Sequence, residues 1–472
     1  MVFQIPNKPL LISGFLSVCC TVGLLLIFPL NVYRAKLDAP TWESLDSRPL
    51  PKWYDEAKFG IFIHWGVYSV PSFMNEWFWK WMEDNSTSQA LFMKRNYPRR
   101  FAYQDFARDF SAEFYDPDEW ADIFKNSGAR YVVLTSKHHD GYTLWPSKYS
   151  FSWNSMTVGP RRDLVGELAG SIRSKTNLKF GLYYSLYEWF NPLYLQDKKN
   201  QYATQLYVTQ HVVPQLQEIV KDYKPAVIWS DGDWEAPDSY WLSKEFLAWL
   251  YLESPVRDYV VVNDRWGKQV LCKHGDFRTC KDNFKPDVLQ PHKWESCTTI
   301  DKYSWGYRRN AKLSEIKSTR ELLKHLVSTV SRGGNMLLNV GPTKDGVIPV
   351  IMQERLHDIG YWLRINGEAI YSTTPWIIQQ EMYSDNIFYT LAQREQFLYA
   401  IVLEWPEKGL LTLEAPQLSN DSTINMLGTN FTLKWHNNNV GIEISFPDRA
   451  KSPNFAWCLK MSNVNIKSHK SK

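Results

Sequence analysis

The regular alternation of short apolar runs with helical patterns constrains the fold of this chain more than any other feature. Runs rich in β-branched and aromatic residues predict buried strands at residues 59–63, 131–135, 180–184, 226–229, 259–262 and 336–340. Helical periodicity lies between several of these runs, at residues 163–173, 207–222, 313–330 and 353–365. Because strands that alternate with helices form parallel sheets, the pattern predicts an α/β fold. We favour a closed (β/α)8-like barrel over a doubly wound sheet.

The pattern changes at about residue 371, where helical periodicity ends and short alternating strands begin. Further strands are predicted at residues 387–391, 397–403, 410–413, 431–435, 441–446 and 456–460. Short strands at this spacing are typical of a small β-sandwich. The sequence therefore predicts a barrel over residues 41–370, a C-terminal β-sandwich over residues 371–466 and a basic tail over residues 467–472.

The first 40 residues are predicted to lie outside this fold. Residues 9–30 carry no charge and consist mainly of Leu, Ile, Val and Phe, a composition that the secretory machinery recognises. The run is long enough to span a bilayer, and residues 31–36 contain no clean small-x-small cleavage site. The segment is therefore either a cleaved signal peptide or a retained signal anchor, and only an anchor would place the protein on a membrane. Three N-glycosylation sequons, at Asn85, Asn420 and Asn430, agree with entry into the secretory pathway.

Charge and cysteine content argue against several kinds of protein. The chain has 54 Lys and Arg against 50 Asp and Glu, a net charge of +4 without a long basic run, so nucleic acid is not an expected partner. Cys272 and Cys280 lie close together on either side of Gly275, and we predict a local disulfide between them. No Cys-x-x-Cys pair occurs, so a thiolate zinc site is not expected. The 15% aromatic content suits a ligand with one apolar face, such as a sugar.

Polar residues follow several of the predicted strands, at the edge where a barrel carries its active site. The strand ends run into His64, into residues 137–140, into Ser185 with Glu188 nearby, into residues 230–233 and into residues 263–265. These segments supply carboxylates, imidazoles and indoles. Together they predict a hydrolytic site.

Each of these residues also has a purely structural interpretation. Asp231 could simply begin a turn with Gly232, and His64 could be a histidine satisfied within the core. His138 and His139 suggest a metal site. However, adjacent side chains on an extended segment point to opposite sides, and no HExxH motif or third ligand occurs at a usual spacing. We therefore predict no metal.

Several motifs in order resemble those of the retaining α-L-fucosidases, most closely the animal lysosomal and secreted members. The resembling segments are YDEAKFGIFIHWG at residues 54–66, NEWFW at 75–79, KHHDG at 137–141, WSDG at 229–232, NDRWG at 263–267 and PDVLQPHKWESC at 286–297. The resemblance implies a barrel followed by a β-sandwich, no cofactor, and hydrolysis of terminal α-L-fucose through a covalent fucosyl-enzyme intermediate. Its implied partners are fucosylated glycans, and its implied assembly is a homotetramer. A lysosomal or secreted location is implied as well.

The resemblance also assigns roles to individual residues. Asp231 matches the nucleophile. Two carboxyls compete for the role of general acid/base: Asp282, which we prefer, and Glu295, which lies in the last motif together with Cys297, a possible supporting residue. The positions that match the lining of the fucose pocket are His64, Glu76, Trp77, His138, His139, Tyr184, Trp229, Arg265 and Trp305.

Two rival functions remain at this stage. A fucose-binding lectin on the same fold would keep the aromatic pocket but lack a carboxylate, whereas Asp231, Asp282 and Glu295 are all present. A metal hydrolase would use His138 and His139, and its activity would disappear on chelation. Neither the glycosidic linkage that is cleaved nor the size of the aglycone follows from the sequence.

Overall fold

The computed structural model describes residues 40–430, 432–447 and 455–465. The predicted signal peptide or anchor, up to residue 39, and the predicted basic tail lie outside these ranges. Within them, no helix combines the length and the apolar character that crossing a bilayer requires.

The N-terminal part is built on a curled parallel sheet whose strand order is β5-β4-β3-β2-β1-β7-β6. Its strands are β1 Phe59–Ile63, β2 Tyr131–Lys137, β3 Lys179–Ser185, β4 Val227–Asp231, β5 Val261–Val262, β6 Trp294–Thr299 and β7 Gly334–Val340. Nearly every residue of these strands is buried, as expected for parallel strands that are covered on both faces.

A short irregular segment, residues 276–279, closes this sheet into a ring. The Phe277 amide donates a hydrogen bond to the Val262 carbonyl in β5 at 3.2 Å, and the Arg278 amide donates to the Lys293 carbonyl before β6 at 2.9 Å. The segment therefore takes the sixth position between β5 and β6. The (β/α)8-like barrel is confirmed, with one of its eight positions occupied by a segment that is not a regular strand.

Helices and helical turns surround the ring. The α-helices are α1 Trp42–Asp46, α2 Lys52–Ala57, α3 Phe78–Met82, α4 Ser88–Asn96, α5 Pro117–Asn126, α6 Leu164–Lys175, α7 Pro192–Lys199, α8 Val213–Tyr223, α9 Asp238–Trp241, α10 Ser243–Leu252, α11 Thr319–Ser331 and α12 Val350–Asn366. Their start points follow capping chemistry. Asp116 accepts hydrogen bonds from the first amides of α5, which begins with a proline, and Ser318 forms a capping box with Glu321 at the start of α11.

The C-terminal part consists of two antiparallel sheets with a shared apolar core, so the predicted β-sandwich is confirmed. The strands are β8 Ile387–Ala392, β9 Phe397–Val402, β10 Leu410–Leu413, β11 Ile424–Met426, β12 Trp435–Asn437, β13 Ile442–Ser445 and β14 Trp457–Met461. One sheet has the order β11-β14-β9-β8 and the other β10-β13-β12. The four-stranded sheet packs on the barrel, where the Trp362 indole of α12 donates to the Ala456 carbonyl at 2.9 Å.

The structure departs from the predicted elements in several places. Strand β5 covers only the second half of the predicted run 259–262, and the helix predicted at residues 313–330 is a 3-10 turn, Leu313–Glu315, followed by α11. Strand β6 is not predicted, because only Trp294 and Cys297 of its six residues are apolar or aromatic and they do not alternate. Strand β11 was not predicted either, and β12 begins at the last residue of the predicted run 431–435. The helix predicted at residues 207–222 opens with a π-helical turn, Val208–Val212, before α8.

Candidate active site

A small pocket opens at the carboxyl ends of the barrel strands, where the sequence predicts the site. Its volume is about 120 Å³, well below the roughly 300–1,000 Å³ of sites for drug-sized ligands, so it fits one small ring. The lining residues are Phe62, His64, Glu76, Trp77, His138, His139, Tyr183, Trp229, Asp231, Trp234, Arg265, Asp282 and Trp305.

Asp231 is the last residue of β4, and its carboxylate faces this pocket. Oδ2 accepts a hydrogen bond from the Tyr183 hydroxyl at 2.8 Å and lies 3.6 Å from Nε2 of His139. Oδ1 accepts from Nη1 of Arg265 at 3.0 Å. Gly232 follows with φ +69°, a conformation that lets the chain turn directly after the carboxylate.

The surroundings of Asp231 keep its carboxyl ionised. Burial alone would raise its pKa, but the charge of Arg265 and the hydrogen bond from Tyr183 outweigh burial, so the pKa lies below its ordinary value. Burial also lowers the pKa of His139 to about 4, although the Asp231 charge works against this shift. At neutral pH the site therefore contains an anionic carboxylate beside an uncharged imidazole.

The other two pocket imidazoles are uncharged as well. Burial lowers the pKa of His64 to about 3 and that of His138 well below its ordinary value. Nδ1 of His64 pairs with the Asn339 side chain at 2.7 Å, whereas Nδ1 of His138 has no hydrogen-bond partner among the described residues. Neutral imidazoles can both donate and accept hydrogen bonds, a property that suits sugar hydroxyls.

Glu76 is a buried carboxyl that also lines the pocket. Its Oε2 accepts hydrogen bonds from the Ser304 hydroxyl at 3.1 Å and from the amides of Trp305 at 2.9 Å and Gly306 at 3.3 Å. Burial raises the pKa of Glu76, and these donors oppose that shift. The same contacts fix Trp305 at the pocket wall.

Aromatic rings form the apolar side of the pocket. Trp229 stacks on Tyr183 with ring centroids 5.8 Å apart, and the Arg265 guanidinium lies 4.6 Å from the centre of the Trp229 ring. Trp77 lies nearly parallel to Trp234, with centroids 6.3 Å apart. Indole faces of this kind pack against the apolar face of a sugar.

Asp282 lies at the mouth of the pocket, and 45% of its side-chain surface is exposed. Its Oδ1 accepts a hydrogen bond from Nη2 of Arg265 at 2.5 Å, so one guanidinium contacts both Asp282 and Asp231. The buried thiol of Cys297 lies 3.7 Å from the same oxygen. The structure thus brings the carboxyls of Asp231 and Asp282 together at the pocket, with Cys297 packed against Asp282.

Glu295 does not reach the pocket. It is fully buried in the barrel interior, where its carboxylate accepts hydrogen bonds from the hydroxyls of Tyr54 at 2.7 Å and Tyr131 at 2.5 Å and from the Trp229 indole at 2.9 Å. Burial raises its pKa, and these donors oppose that shift. An aglycone at the pocket mouth cannot contact this carboxyl, so the structure places the rival acid/base behind Trp229.

The assignment of Tyr184 to the pocket is wrong. Its hydroxyl donates to Oε1 of Gln215 at 2.8 Å, and its ring lies 4.1 Å from Nζ of Lys137, on the outer face of β3. Side chains alternate along a strand, so its neighbour Tyr183 faces inward and lines the pocket instead.

The expectation that His138 and His139 point to opposite sides is wrong too. Strand β2 ends at Lys137, and both rings line the pocket with centroids 4.1 Å apart. Strand alternation does not hold beyond the end of a strand. Among the described residues, no group of three or more His, Cys, Asp or Glu side chains could hold a metal ion.

Residues 31–368 match the family model described as alpha-L-fucosidase, and residues 379–462 match the model of the alpha-L-fucosidase C-terminal domain. The chain belongs to the α-L-fucosidase family. The tissue alpha-L-fucosidase of Rattus norvegicus is 52% identical over 94% of this chain and 97% of its own length. The tissue alpha-L-fucosidase of Homo sapiens is 54% identical over 90% of this chain and 92% of its own length.

The solved structure of Thermotoga maritima alpha-fucosidase in complex with fucose has the same fold as this family member. It shares 37% identity and a TM-score of 0.77, and the match covers 89% of this chain and 99% of the other. The family resemblance carried by the sequence motifs is thereby confirmed.

In this α-L-fucosidase family member, Tyr183, Trp234 and Phe62 are pocket residues that sequence reasoning did not identify. Tyr183 pairs in register with Trp229 of the adjacent strand. An inward Trp229 therefore could have indicated an inward Tyr183. Trp234 lies three residues after Asp231 in an irregular loop, and no periodic signal indicates where its ring points.

The features predicted for an exported protein lie in accessible positions. Cys272 and Cys280 are joined by a disulfide. The three sequon asparagines, Asn85, Asn420 and Asn430, are exposed.

Proposed function

We propose that this chain is a retaining exo-α-L-fucosidase that releases terminal α-L-fucose from glycoproteins, glycolipids and oligosaccharides. The observation that carries the proposal is an ionised Asp231 at the base of a pocket for one sugar ring, with a second carboxyl, Asp282, at the mouth. Retaining glycosidases hold such a carboxyl pair about 5–5.5 Å apart. The shared Arg265 guanidinium supports a short separation of this kind, because each carboxyl bonds to one of its terminal nitrogens.

In the first step, an Asp231 oxygen attacks the anomeric carbon of the fucosyl group. The bond to the aglycone oxygen breaks, and Asp282 gives that oxygen its proton. The product of this step is a covalent fucosyl ester on Asp231.

In the second step, Asp282 accepts a proton from a water molecule that attacks the anomeric carbon. The ester bond breaks, Asp231 leaves as a carboxylate, and fucose departs with its original anomeric configuration. The half-exposed position of Asp282 supports this role, because the general acid must face both the departing aglycone and the entering water.

The remaining pocket residues account for recognition of the sugar. The uncharged imidazoles of His64, His138 and His139 and the carboxyl of Glu76 supply hydrogen-bonding groups for the hydroxyls. The indole rings provide the apolar surface that the ring face and methyl group of fucose require. The presence of both carboxyls in the pocket supports a hydrolase over a fucose-binding lectin.

The roles of the two acid/base candidates are tested with matched variants. Asp282→Ala should lose most activity on a fucoside with a poor leaving group and retain much more on an activated aryl fucoside. Azide should rescue the activated substrate and give fucosyl azide of retained configuration. Glu295→Ala should affect both substrates by a similar factor, without azide rescue. If Glu295→Ala shows the leaving-group dependence and Asp282→Ala does not, the assignment of the acid/base is wrong.

We also propose that the folded part works in the lysosome or outside the cell as a homotetramer. The exposed sequons and the Cys272–Cys280 disulfide support an oxidising, glycosylating compartment. Glycan mapping and light scattering of the secreted protein test the two parts of this proposal. Bare sequons, or a monomeric mass at working concentration, would overturn the corresponding part.

A further inference from the structure

The carboxyl of Asp282 belongs to a segment without regular secondary structure. Neither a helix nor a strand occurs between β5 and β6, residues 263–293. Four non-glycine residues in this stretch have left-handed backbone conformations: Gln269 at φ 75°, Cys272 at φ 64°, Cys280 at φ 54° and Asn283 at φ 53°. Such residues keep these conformations only where surrounding contacts impose them. A general acid also needs its position fixed to within about 0.5 Å.

Asp264 supplies such contacts for Cys272 and Cys280. Its carboxylate is fully buried. Oδ1 accepts hydrogen bonds from the amide of Thr279 at 3.0 Å and from its hydroxyl at 2.6 Å. Oδ2 accepts from the amides of Cys272 at 2.8 Å and Cys280 at 3.1 Å. The disulfide joins the same two cysteines, so one carboxylate and one covalent bond fix both ends of the turn that precedes Asp282.

The contacts of Asp264 continue to the reacting carboxyls through Thr279 and Arg265. Nε of Arg265 donates to the Thr279 hydroxyl oxygen at 3.1 Å, and the same hydroxyl donates to Asp264. The two terminal nitrogens of Arg265 contact Asp231 and Asp282. Beyond Asp282, the Asn283 amide donates to the Cys297 carbonyl at 2.9 Å. Asp282 is therefore held on both sides, on one side through Asp264.

We propose that Asp264 is the positioning residue of the acid/base: with the Cys272–Cys280 disulfide, it fixes the Asp282 carboxyl over the pocket mouth. Asp264 itself does not touch substrate. This inference rests on the proposed function, in which Asp282 transfers the proton. It assigns the disulfide a part in proton transfer in addition to any effect on stability.

The test is Asp264→Asn, which keeps the shape of the side chain but replaces one acceptor oxygen by an NH2 group. This group cannot accept the hydrogen bonds that the loop donates to Asp264. A misplacement of about 1 Å costs roughly 100-fold in rate. We expect kcat/KM on a fucosyl disaccharide to fall by about 100-fold and kcat/KM on an activated aryl fucoside to fall by less than about 5-fold. The second loss is smaller because Asp231 lies at the end of β4, outside the loop, and keeps its hydrogen bond from Tyr183.

Asp197→Asn is the matched control. Asp197 is also fully buried, and it accepts hydrogen bonds from the Tyr207 amide, the Tyr240 hydroxyl and the Thr204 hydroxyl. Asp197→Asn should lower the melting temperature. It should leave unchanged the ratio of kcat/KM on the fucosyl disaccharide to kcat/KM on the activated aryl fucoside. An unchanged ratio in Asp264→Asn as well would overturn the proposal.

Two further measurements distinguish a failure of this proposal from a failure of the proposed function and from misfolding of the variant. If Asp282→Ala shows no leaving-group dependence, the role of Asp282 fails. If Asp282→Ala shows it and Asp264→Asn does not, the positioning role of Asp264 fails. Should Asp264→Asn not fold, reduction of the exposed disulfide in the intact wild-type protein, verified by alkylation of both cysteines, should produce the same selective loss. Equal losses on both substrates would contradict the proposal.

Discussion

Replacement of Tyr183 by Phe should shift the acidic limb of the pH profile, because the Tyr183 hydroxyl stabilises the ionised nucleophile. The hydroxyl donates to Asp231 at 2.8 Å in a buried site. A hydrogen bond to a charged group contributes about 1.5–3 kcal/mol, and one pKa unit corresponds to about 1.36 kcal/mol. The donor stabilises the carboxylate but not the carboxylic acid, so its removal should raise the pKa of Asp231 by about 1–2 units.

The assay is kcat/KM on an activated aryl fucoside from about pH 3 to pH 7, since this ratio reports ionisations of the free enzyme. The acidic limb of Tyr183→Phe should lie about 1–2 pH units above that of the wild type. Tyr184→Phe is the matched control, because this neighbouring hydroxyl bonds to Gln215 and not to Asp231. An unmoved limb in Tyr183→Phe, or an equal shift in both variants, would refute the reasoning.

Three further outcomes are expected. Glu295→Gln should lower the free energy of unfolding by about 1–3 kcal/mol, because three buried donors lose the carboxyl group that accepts their hydrogen bonds. Denaturant titration checks that loss, and an unchanged midpoint would contradict it. Gly360→Ala should destabilise the fold by about 1–3 kcal/mol or more, since a Cβ would lie 1.9 Å from the Asn126 carbonyl oxygen; a wild-type melting temperature would argue against this close packing. Exhaustive chelation should leave kcat unchanged, because the described residues bring no three metal-binding side chains together. Loss of activity that Zn²⁺ restores would favour the metal hydrolase.

The sequence predicts those strands and helices of this fold whose buried positions are also apolar, because the apolar periodicity then reports the burial. Strands β1 to β4 and β7 are apolar over most of their length because helices and the barrel interior cover both faces. Strand β6 escapes prediction because Glu295, Ser296 and Thr298 are buried there in polar surroundings. These buried polar residues interrupt the apolar periodicity on which the prediction of a strand depends.

The site is predictable where its residues end a strand, and less so elsewhere. Asp231 and His64 follow directly from strand ends. The error at Tyr184 is a shift of one residue, which reverses the face of a strand. The choice between Asp282 and Glu295 depends on two properties. The loop conformation brings Asp282 to the pocket mouth, and burial in the barrel interior keeps Glu295 away from it. Neither property is encoded in local spacing.

The most direct test of the account is identification of the residue that carries the fucosyl intermediate. The protein is inactivated with a slow fucosyl donor that has fluorine at C2 and a good leaving group, then digested and sequenced by tandem mass spectrometry. The account predicts one fucosyl-sized adduct, on Asp231, that is lost as activity returns. An adduct on any other residue, or hydrolysis with inversion and no adduct, would contradict it.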